Sequence, residues 1–207
     1  MSEPFESKPM KVEFWFEFAS TYSYPAAMRI EALAASRGVA VAWRSFLLAP
    51  IFQQQGWNNS PFNIYPVKGQ YMWRDLERIC DRLDIPLRRP TKFPRNGLLA
   101  ARVVCSHADE PWIPDFVRGI YSVNFAEDAE ISDPTVISRC LTSLGQDAAA
   151  ILATAETPAS KDKLKAQTAE AMERGLFGAP SFLVGGELFW GNDRLEEALD
   201  WAVRAAR

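Results

Sequence analysis

Only one histidine, His107, occurs among the 207 residues, and only three cysteines, Cys80, Cys105 and Cys140. A lone imidazole excludes metal centres that need several histidines. It also leaves a Ser-His-Asp triad no choice but His107, which follows the apolar stretch 98–105 and reads as the end of a helix, where a histidine faces the negative pole of the dipole. The cysteines are odd in number, widely separated and never arranged as Cys-x-x-Cys. Neither a disulfide framework nor a structural zinc site follows from them, and a reducing cytoplasm is the expected location. No segment approaches the roughly 18 uninterrupted apolar residues of a membrane-spanning helix. Residues 1–10 carry acidic side chains and prolines where a secretory signal has a positive start and an apolar run, so export is not expected. Excess positive charge is also missing, the formal net charge being −3. Nucleic acid and anionic membranes are therefore not expected as partners.

What is present is the composition of an ordinary globular protein, 48% apolar and 24% charged. A chain of this length fits one elaborated domain or a domain with an insertion, and would be cramped as two unrelated domains.

Residues 11–18, Lys-Val-Glu-Phe-Trp-Phe-Glu-Phe, place Val12, Phe14, Phe16 and Phe18 at even spacing and predict a strand; Trp15 implies that both its faces are covered. Residues 19–23 read as a turn, and 24–36 as a helix that tolerates Pro25 in its first turn and ends before Gly38. A second strand is expected at 39–46, and the short crossover makes the pair parallel with a right-handed connection. Residues 50–68, crowded with Gln, Gly, Asn and Pro, are expected to form a long loop. Helices are expected over 71–83, 97–107, 113–125, 134–144, 148–156 and 160–174. Strand character returns at 180–184 and 187–190, joined by Gly185-Gly186, a pair suited to the positive φ of a tight hairpin turn. A last helix over 194–203 is expected to be capped by Asn192 or Asp193.

The order is strand-helix-strand, helical insert, then hairpin-helix, and three motifs punctuate it. They are Phe16-Glu-Phe-Ala-Ser20-Thr-Tyr-Ser-Tyr24 at the first strand-to-helix junction, Phe177-Gly-Ala-Pro180-Ser-Phe before the hairpin, and Phe189-Trp-Gly-Asn-Asp-Arg-Leu195 after it. Together they resemble the 2-hydroxychromene-2-carboxylate isomerases and kappa-class glutathione transferases of the DsbA-like superfamily, over nearly the whole chain from Val12 to the last helix. Members of that family usually read Phe-Asp-Phe-x-Ser-Pro-Tyr-Ser at the first motif; here Glu17 stands for the Asp and Thr21 for the Pro. The resemblance implies an α/β, thioredoxin-like fold with a large all-helical insertion. Its expected division is a discontinuous thioredoxin-like domain at 11–60 and 176–207 and an inserted helical subdomain at 61–175.

Ser20 stands at the entrance of the first long helix, where unpaired N–H groups and the positive end of the dipole favour an anion. The resemblance makes that anion the sulfur of glutathione and Ser20 the catalytic residue that holds it, although a plain N-cap would use the same side chain. A thiol of intrinsic pKa about 8.5 gains about 1.36 kcal/mol of thiolate preference for each unit by which its site lowers that value. The resemblance also implies a cis Ala179–Pro180 bond facing Ser20, with the Ala179 backbone pairing strand-fashion with the cysteinyl unit. An ordinary trans proline opening a strand is the alternative. Gly191, Asn192 and Asp193 would meet the γ-glutamyl end of the tripeptide, or simply cap the helix. Asn59 and Lys68 are implied as further glutathione contacts, Lys68 for the glycyl carboxylate, with Asn58 and Asn63 as the neighbours able to replace Asn59.

The reaction implied by the resemblance is a glutathione-dependent cis–trans isomerisation of a ring-opened intermediate of aromatic degradation. A bound thiolate adds to the conjugated system, the resulting single bond rotates, and sulfur leaves. Tyr22, Phe62 and Trp73 are the expected substrate pocket, drawn from an aromatic set that also holds Trp15, Trp57 and Tyr71. Conjugation or peroxide reduction in the manner of kappa-class transferases is the alternative, and a glutathione-binding or partner-docking protein without turnover is the second. Dithiol exchange is disfavoured, because Ser20 and Ser23 cannot form a disulfide. No metal is expected, and the resemblance implies a homodimer.

Overall fold

Alternation along β1 (Lys11–Phe16) decides where the two layers of the core form. Val12, Phe14 and Phe16 are fully buried, and so is Trp15 between them; because successive side chains leave opposite faces, the strand has protein on both sides. The computed structural model that shows this describes residues 10–205, so the acidic, proline-containing residues 1–9, and the reading placed on them about export, lie outside the described residues.

β1 pairs in parallel with β2 (Ala40–Ser45), from Lys11 opposite Ala40 to Phe16 opposite Ser45. On its other edge it pairs antiparallel with β3 (Ser181–Val184), Phe14 lying opposite Phe182. β4 (Glu187–Trp190) returns from β3 through the Gly185-Gly186 turn, with Gly185 at φ +61°. The sheet order is β2-β1-β3-β4. On the Phe14 face, the rings of Phe14, Phe16, Trp43 and Phe182 meet at centroid separations of 5.1 to 5.7 Å, and α1 (Ser23–Ala35) and α10 (Leu195–Ala205) cover them. On the opposite face Trp15 packs against Phe46, Ile51, Ala171, Leu176 and Leu183. Arg44 and Arg174 flank its ring, and Arg174 is held there by Glu13 at 2.7 Å.

Between β2 and β3 the chain is helical: α2 (Leu48–Gln54), α3 (Pro61–Ile64), α4 (Pro66–Arg82), α5 (Leu98–Ser106), α6 (Ile113–Phe125), α7 (Pro134–Ser143), α8 (Ala148–Glu156) and α9 (Pro158–Glu173). The long loop expected over 50–68 is therefore two short helices and the start of a third. Its prolines mark beginnings rather than breaks. Pro61 and Pro66 occupy first turns, where the missing N–H has no intrahelical partner to lose, and Ser60 Oγ accepts from Phe62 N at 3.3 Å. The last helix also differs at its start. Asn192 and Asp193 do not cap it but form a short 3₁₀ turn, Asn192–Arg194, in which Asn192 Oδ1 accepts from Arg29 at 3.0 Å. His107 ends α5 as expected, its Nδ1 3.1 Å from the Val103 carbonyl. Among the described residues no helix is long and apolar enough to cross a membrane.

Phe14 lies at the centre of the larger core, in contact with β2, β3 and its own strand. Phe14→Ala should destabilise the protein by about 3–5 kcal/mol. The measurement is urea unfolding, with a lower midpoint at unchanged slope; a midpoint equal to that of the wild type would deny the ring its central place.

Candidate active site

β1 ends at Phe16 because the chain folds at once into a tight turn, Ser20 N donating to Glu17 O at 2.9 Å. Helix α6 fixes that turn from behind. Tyr121 Oη donates to Glu17 O at 2.9 Å, and Asn124 Nδ2 donates to Phe18 O at 3.1 Å. Gly97 approaches so closely that a Cβ there would lie 2.6 Å from Phe18 Cβ. The turn delivers Ser20 to the mouth of α1. Its Oγ accepts from Ser23 N at 3.3 Å and donates to the Ala179 carbonyl at 2.9 Å, so the side chain takes up the first N–H of α1 and also reaches across a cleft. The Ala179–Pro180 bond is cis. α1 has no acidic residue in its first turn, and the N–H groups of Thr21 and Tyr22 have no backbone acceptor among the described residues. The entrance of α1 therefore keeps its positive character beside the Ser20 hydroxyl.

The cleft has a volume of about 820 Å³. Its floor is Glu17 and the turn from Ala19 to Tyr22, faced by Gly178 and Ala179. One wall is Leu47, Leu48, Phe52 and Trp57, a second is Phe62 with Lys68, and a third is the segment from Phe93 to Leu98. Phe177 and Trp190 close it, their rings edge-on at 4.8 Å. Gly178 is required below them, because a Cβ there would collide with the Trp190 indole. The walls are thus largely apolar and aromatic, as a site for a flat organic ligand should be.

Arg95 lies at the edge of this space, but its charge is already met. The buried guanidinium bonds Asn124 and Asp128, and the Asp128 carboxyl is held at about 2 by the Thr91 N–H and by Arg95. Lys68 Nζ sits 4.8 Å above the Tyr65 ring. Glu17 behaves in the opposite way to Asp128: burial raises its carboxyl to about 7, against the opposing pull of the Ala19 and Ser20 N–H groups. The cysteines are inert thiols, since burial pushes Cys80 up to about 11 and Cys105 up to about 12. Among the described residues no group of three or more His, Cys, Asp or Glu could hold a metal ion.

Of the residues singled out from sequence, Ser20, Tyr22, Phe62, Lys68 and Ala179 line the cleft, as does Trp57. Tyr22 is oriented by Asp75, which accepts from its hydroxyl at 3.0 Å. Pro180 is buried behind Ala179, and its carbonyl accepts from Gly191 N at 2.9 Å, which sets the third motif beside the second. Gly191 has φ +116°, and a Cβ on it would lie 2.5 Å from Asp193 Oδ1. Asn192 is buried against Arg29, Asp193 is exposed, and none of the three lines the cleft itself. Trp73 does not line it either. It is buried edge-on behind Phe93, at 5.1 Å, because α4 turns that face to the core. Trp15 belongs to the second core, and Tyr71 lies on the surface beneath Arg78. Asn59 is exposed, its Oδ1 accepting from Ser60 N at 2.7 Å and Asn63 Nδ2 at 3.2 Å; Asn58 is exposed as well. Sequence reasoning passed over Glu17, Phe52, Phe93, Phe177 and Trp190 as cleft residues. Glu17, Phe177 and Trp190 stood inside the quoted motifs, whereas Phe52 was hidden in a helix read as loop.

A four-stranded sheet with a serine turn opposite a cis prolyl bond, and a helical layer between its second and third strands, defines a thioredoxin-like domain with an insert. The chain belongs to the DsbA-like thioredoxin superfamily, in the branch of the 2-hydroxychromene-2-carboxylate isomerases and kappa-class glutathione transferases. The DSBA-like thioredoxin domain matches residues 11–200. The chain is 30% identical to a 2-hydroxychromene-2-carboxylate isomerase of Pseudomonas putida over 189 residues, covering 90% of this chain and 91% of the relative. Glutathione S-transferase kappa 1 of Homo sapiens is 26% identical over 205 residues, with coverages of 91% and 88%. The solved structure of a 2-hydroxychromene-2-carboxylate isomerase superposes with a TM-score of 0.83 at 27% identity, covering 95% of this chain and 96% of that one.

Glu17 gives the native state a pH dependence of definite sign. The carboxyl titrates at 4.5 in an unperturbed chain and at about 7 in the fold. Between these values the native state keeps a proton that the unfolded chain has lost, so stability falls as pH rises across the window. Glu17→Gln removes that penalty. The variant and the wild type should melt alike near pH ~4, while near pH ~8 the variant should melt about 4–8 °C higher, the shift that roughly 2 kcal/mol gives in a chain of this size. Equal melting temperatures at the higher pH would mean that the carboxylate is well solvated.

Proposed function

We propose that the cleft binds glutathione and that the protein is a glutathione-dependent cis–trans isomerase of the 2-hydroxychromene-2-carboxylate isomerase type, acting on a ring-opened intermediate of aromatic degradation. The observation that carries this reading is the Ser20 hydroxyl, held 2.9 Å from the Ala179 carbonyl at the entrance of α1. A hydroxyl rotor in that position can turn its proton from the carbonyl to a sulfur lodged between the two segments. The Ala179 N–H has no backbone acceptor among the described residues, which suits strand-like pairing with the cysteinyl carbonyl. Lys68 then meets the glycyl carboxylate. The turn at Gly191, Asn192 and Asp193 meets the γ-glutamyl end, Asp193 facing its ammonium group and Asn192 held in place by Arg29. Asn59 contributes through the loop that it ties to Ser60 and Asn63.

In this reading the substrate lies flat against Phe62, Phe177 and Trp190, with Tyr22 at its edge and Trp73 supporting Phe93 from behind. The glutathione thiolate adds to the conjugated carbon, and the electron pair of the double bond moves to the carbonyl oxygen. The former double bond is now single and rotates. Return of the electron pair expels the sulfur and leaves the trans alkene, so the reaction needs neither oxidant nor reductant. The same cleft would serve conjugation, and the kappa 1 relative supports that as the second reading.

Calorimetry with glutathione and a spectrophotometric assay for glutathione-dependent loss of the chromene absorbance test the proposal. Ser20→Ala should lower kcat by about 10²–10³-fold, the usual effect of removing one donor from a developing anion, while leaving most of the tripeptide affinity. A variant with wild-type kcat would refute the role of Ser20. Turnover confined to electrophilic halides would favour the transferase reading, and tight binding without turnover would leave a glutathione-binding protein.

A further inference from the structure

A serine hydroxyl stabilises a thiolate but is too weak a base to remove the thiol proton at neutral pH, so that proton needs another destination. Among the residues lining the cleft there is one carboxylate, Glu17, and no imidazole. Glu17 begins the turn that ends in Ser20. Its carboxylate takes a hydrogen bond from the Ala19 N–H at 3.0 Å, with the Ser20 N–H close by, and it pairs with no cation among the described residues. The other titratable groups that line the cleft, Tyr22, Lys68 and Arg95, are engaged elsewhere. Tyr121 on α6 donates to the Glu17 carbonyl, Tyr22 donates to Asp75, Arg95 is paired with Asp128, and Lys68 rests on Tyr65. His107, at the end of α5, is bonded to the Val103 carbonyl and does not reach the cleft.

We propose that Glu17 is the proton acceptor for the glutathione thiol, a role that rests on the glutathione reading above and assigns a second catalytic residue to the same site. The S–H bond breaks with its electron pair left on sulfur, and the proton bonds to a Glu17 carboxylate oxygen. The thiolate adds to the substrate and is later expelled unchanged. Glu17 returns the proton when the cofactor leaves as thiol, so atoms and electrons balance within one turnover. The raised value of about 7 suits a group that must accept and give back a proton near neutrality.

The test compares wild type, Glu17→Gln and Glu17→Asp at saturating glutathione, following kcat and the ultraviolet thiolate band of the bound tripeptide against pH. In the wild type both should rise together through about 7, the value at which Glu17 becomes a free base. Glu17→Gln should bind glutathione within about threefold of wild type, lose the band at neutral pH and lose kcat by about 30–100-fold, with recovery only as pH approaches the ~8.5 of a free thiol. Glu17→Asp should recover part of the rate and keep the acidic limb. Melting curves verify that each variant is folded. A Glu17→Gln protein that binds glutathione and keeps both the band and a kcat within about twofold of wild type at neutral pH would overturn the inference while leaving the proposed function standing. Failure of the wild type to bind glutathione would instead overturn the proposed function, and this inference with it.

Discussion

The hydrogen bond from Ser20 Oγ to the Ala179 carbonyl spans 159 residues of sequence and one cleft. A bond of this kind is worth about 1 kcal/mol net, far too little to draw two segments together against chain entropy. The sheet does that instead. β1 ends at the serine turn and β3 begins just after Pro180, and their antiparallel pairing puts the two ends side by side. Asn124 and Tyr121 then hold the turn to α6, and Arg95 ties Asn124 to Asp128 across the next wall. The cross-cleft bond reports an alignment that the core has already imposed, and any chemistry at Ser20 depends on that alignment.

Stability and reactivity pull apart at the same turn. Asp128 is satisfied by a backbone N–H and a guanidinium, and its charge helps the fold. The Glu17 carboxylate is bonded by the Ala19 N–H and meets no cation among the described residues, so its charge is disfavoured by the burial that the turn requires. Proteins place such groups at working sites more often than elsewhere, because a carboxyl held near neutrality is of little structural use. Burial acts in the same direction on the thiols, raising Cys80 to about 11 and Cys105 to about 12 and pushing Cys140 up as well, so that none is a thiolate at neutral pH.

Much of the fold is legible in the sequence, for physical reasons that differ by element. The even spacing of Val12, Phe14 and Phe16 has only one good solution as a strand, and Trp15 announced the second covered face. Gly185-Gly186 left little choice but a tight turn. The region 50–68 was illegible because its prolines and Ser60 act as helix starters, and starters and breakers share a composition. At the site, Ser20 and Ala179 were legible because local geometry at a helix entrance and before a proline is narrow. Trp73 was misplaced and Trp190 overlooked because a ring's direction depends on which neighbours reach it first. Trp73 meets Phe93 and the core, while Trp190 is held over a glycine that no periodicity marks.

The cleft is assembled from two kinds of parts. Its reactive corner comes from the ends of two paired strands and the start of one helix, while Phe52, Trp57, Phe62 and Phe93 hang from separate helices and connections. A change in any one of those rings alters the shape offered to a ligand without shifting the serine or the carbonyl opposite it. Such a division lets descendants of one ancestor trade their targets while inheriting an unaltered reactive corner.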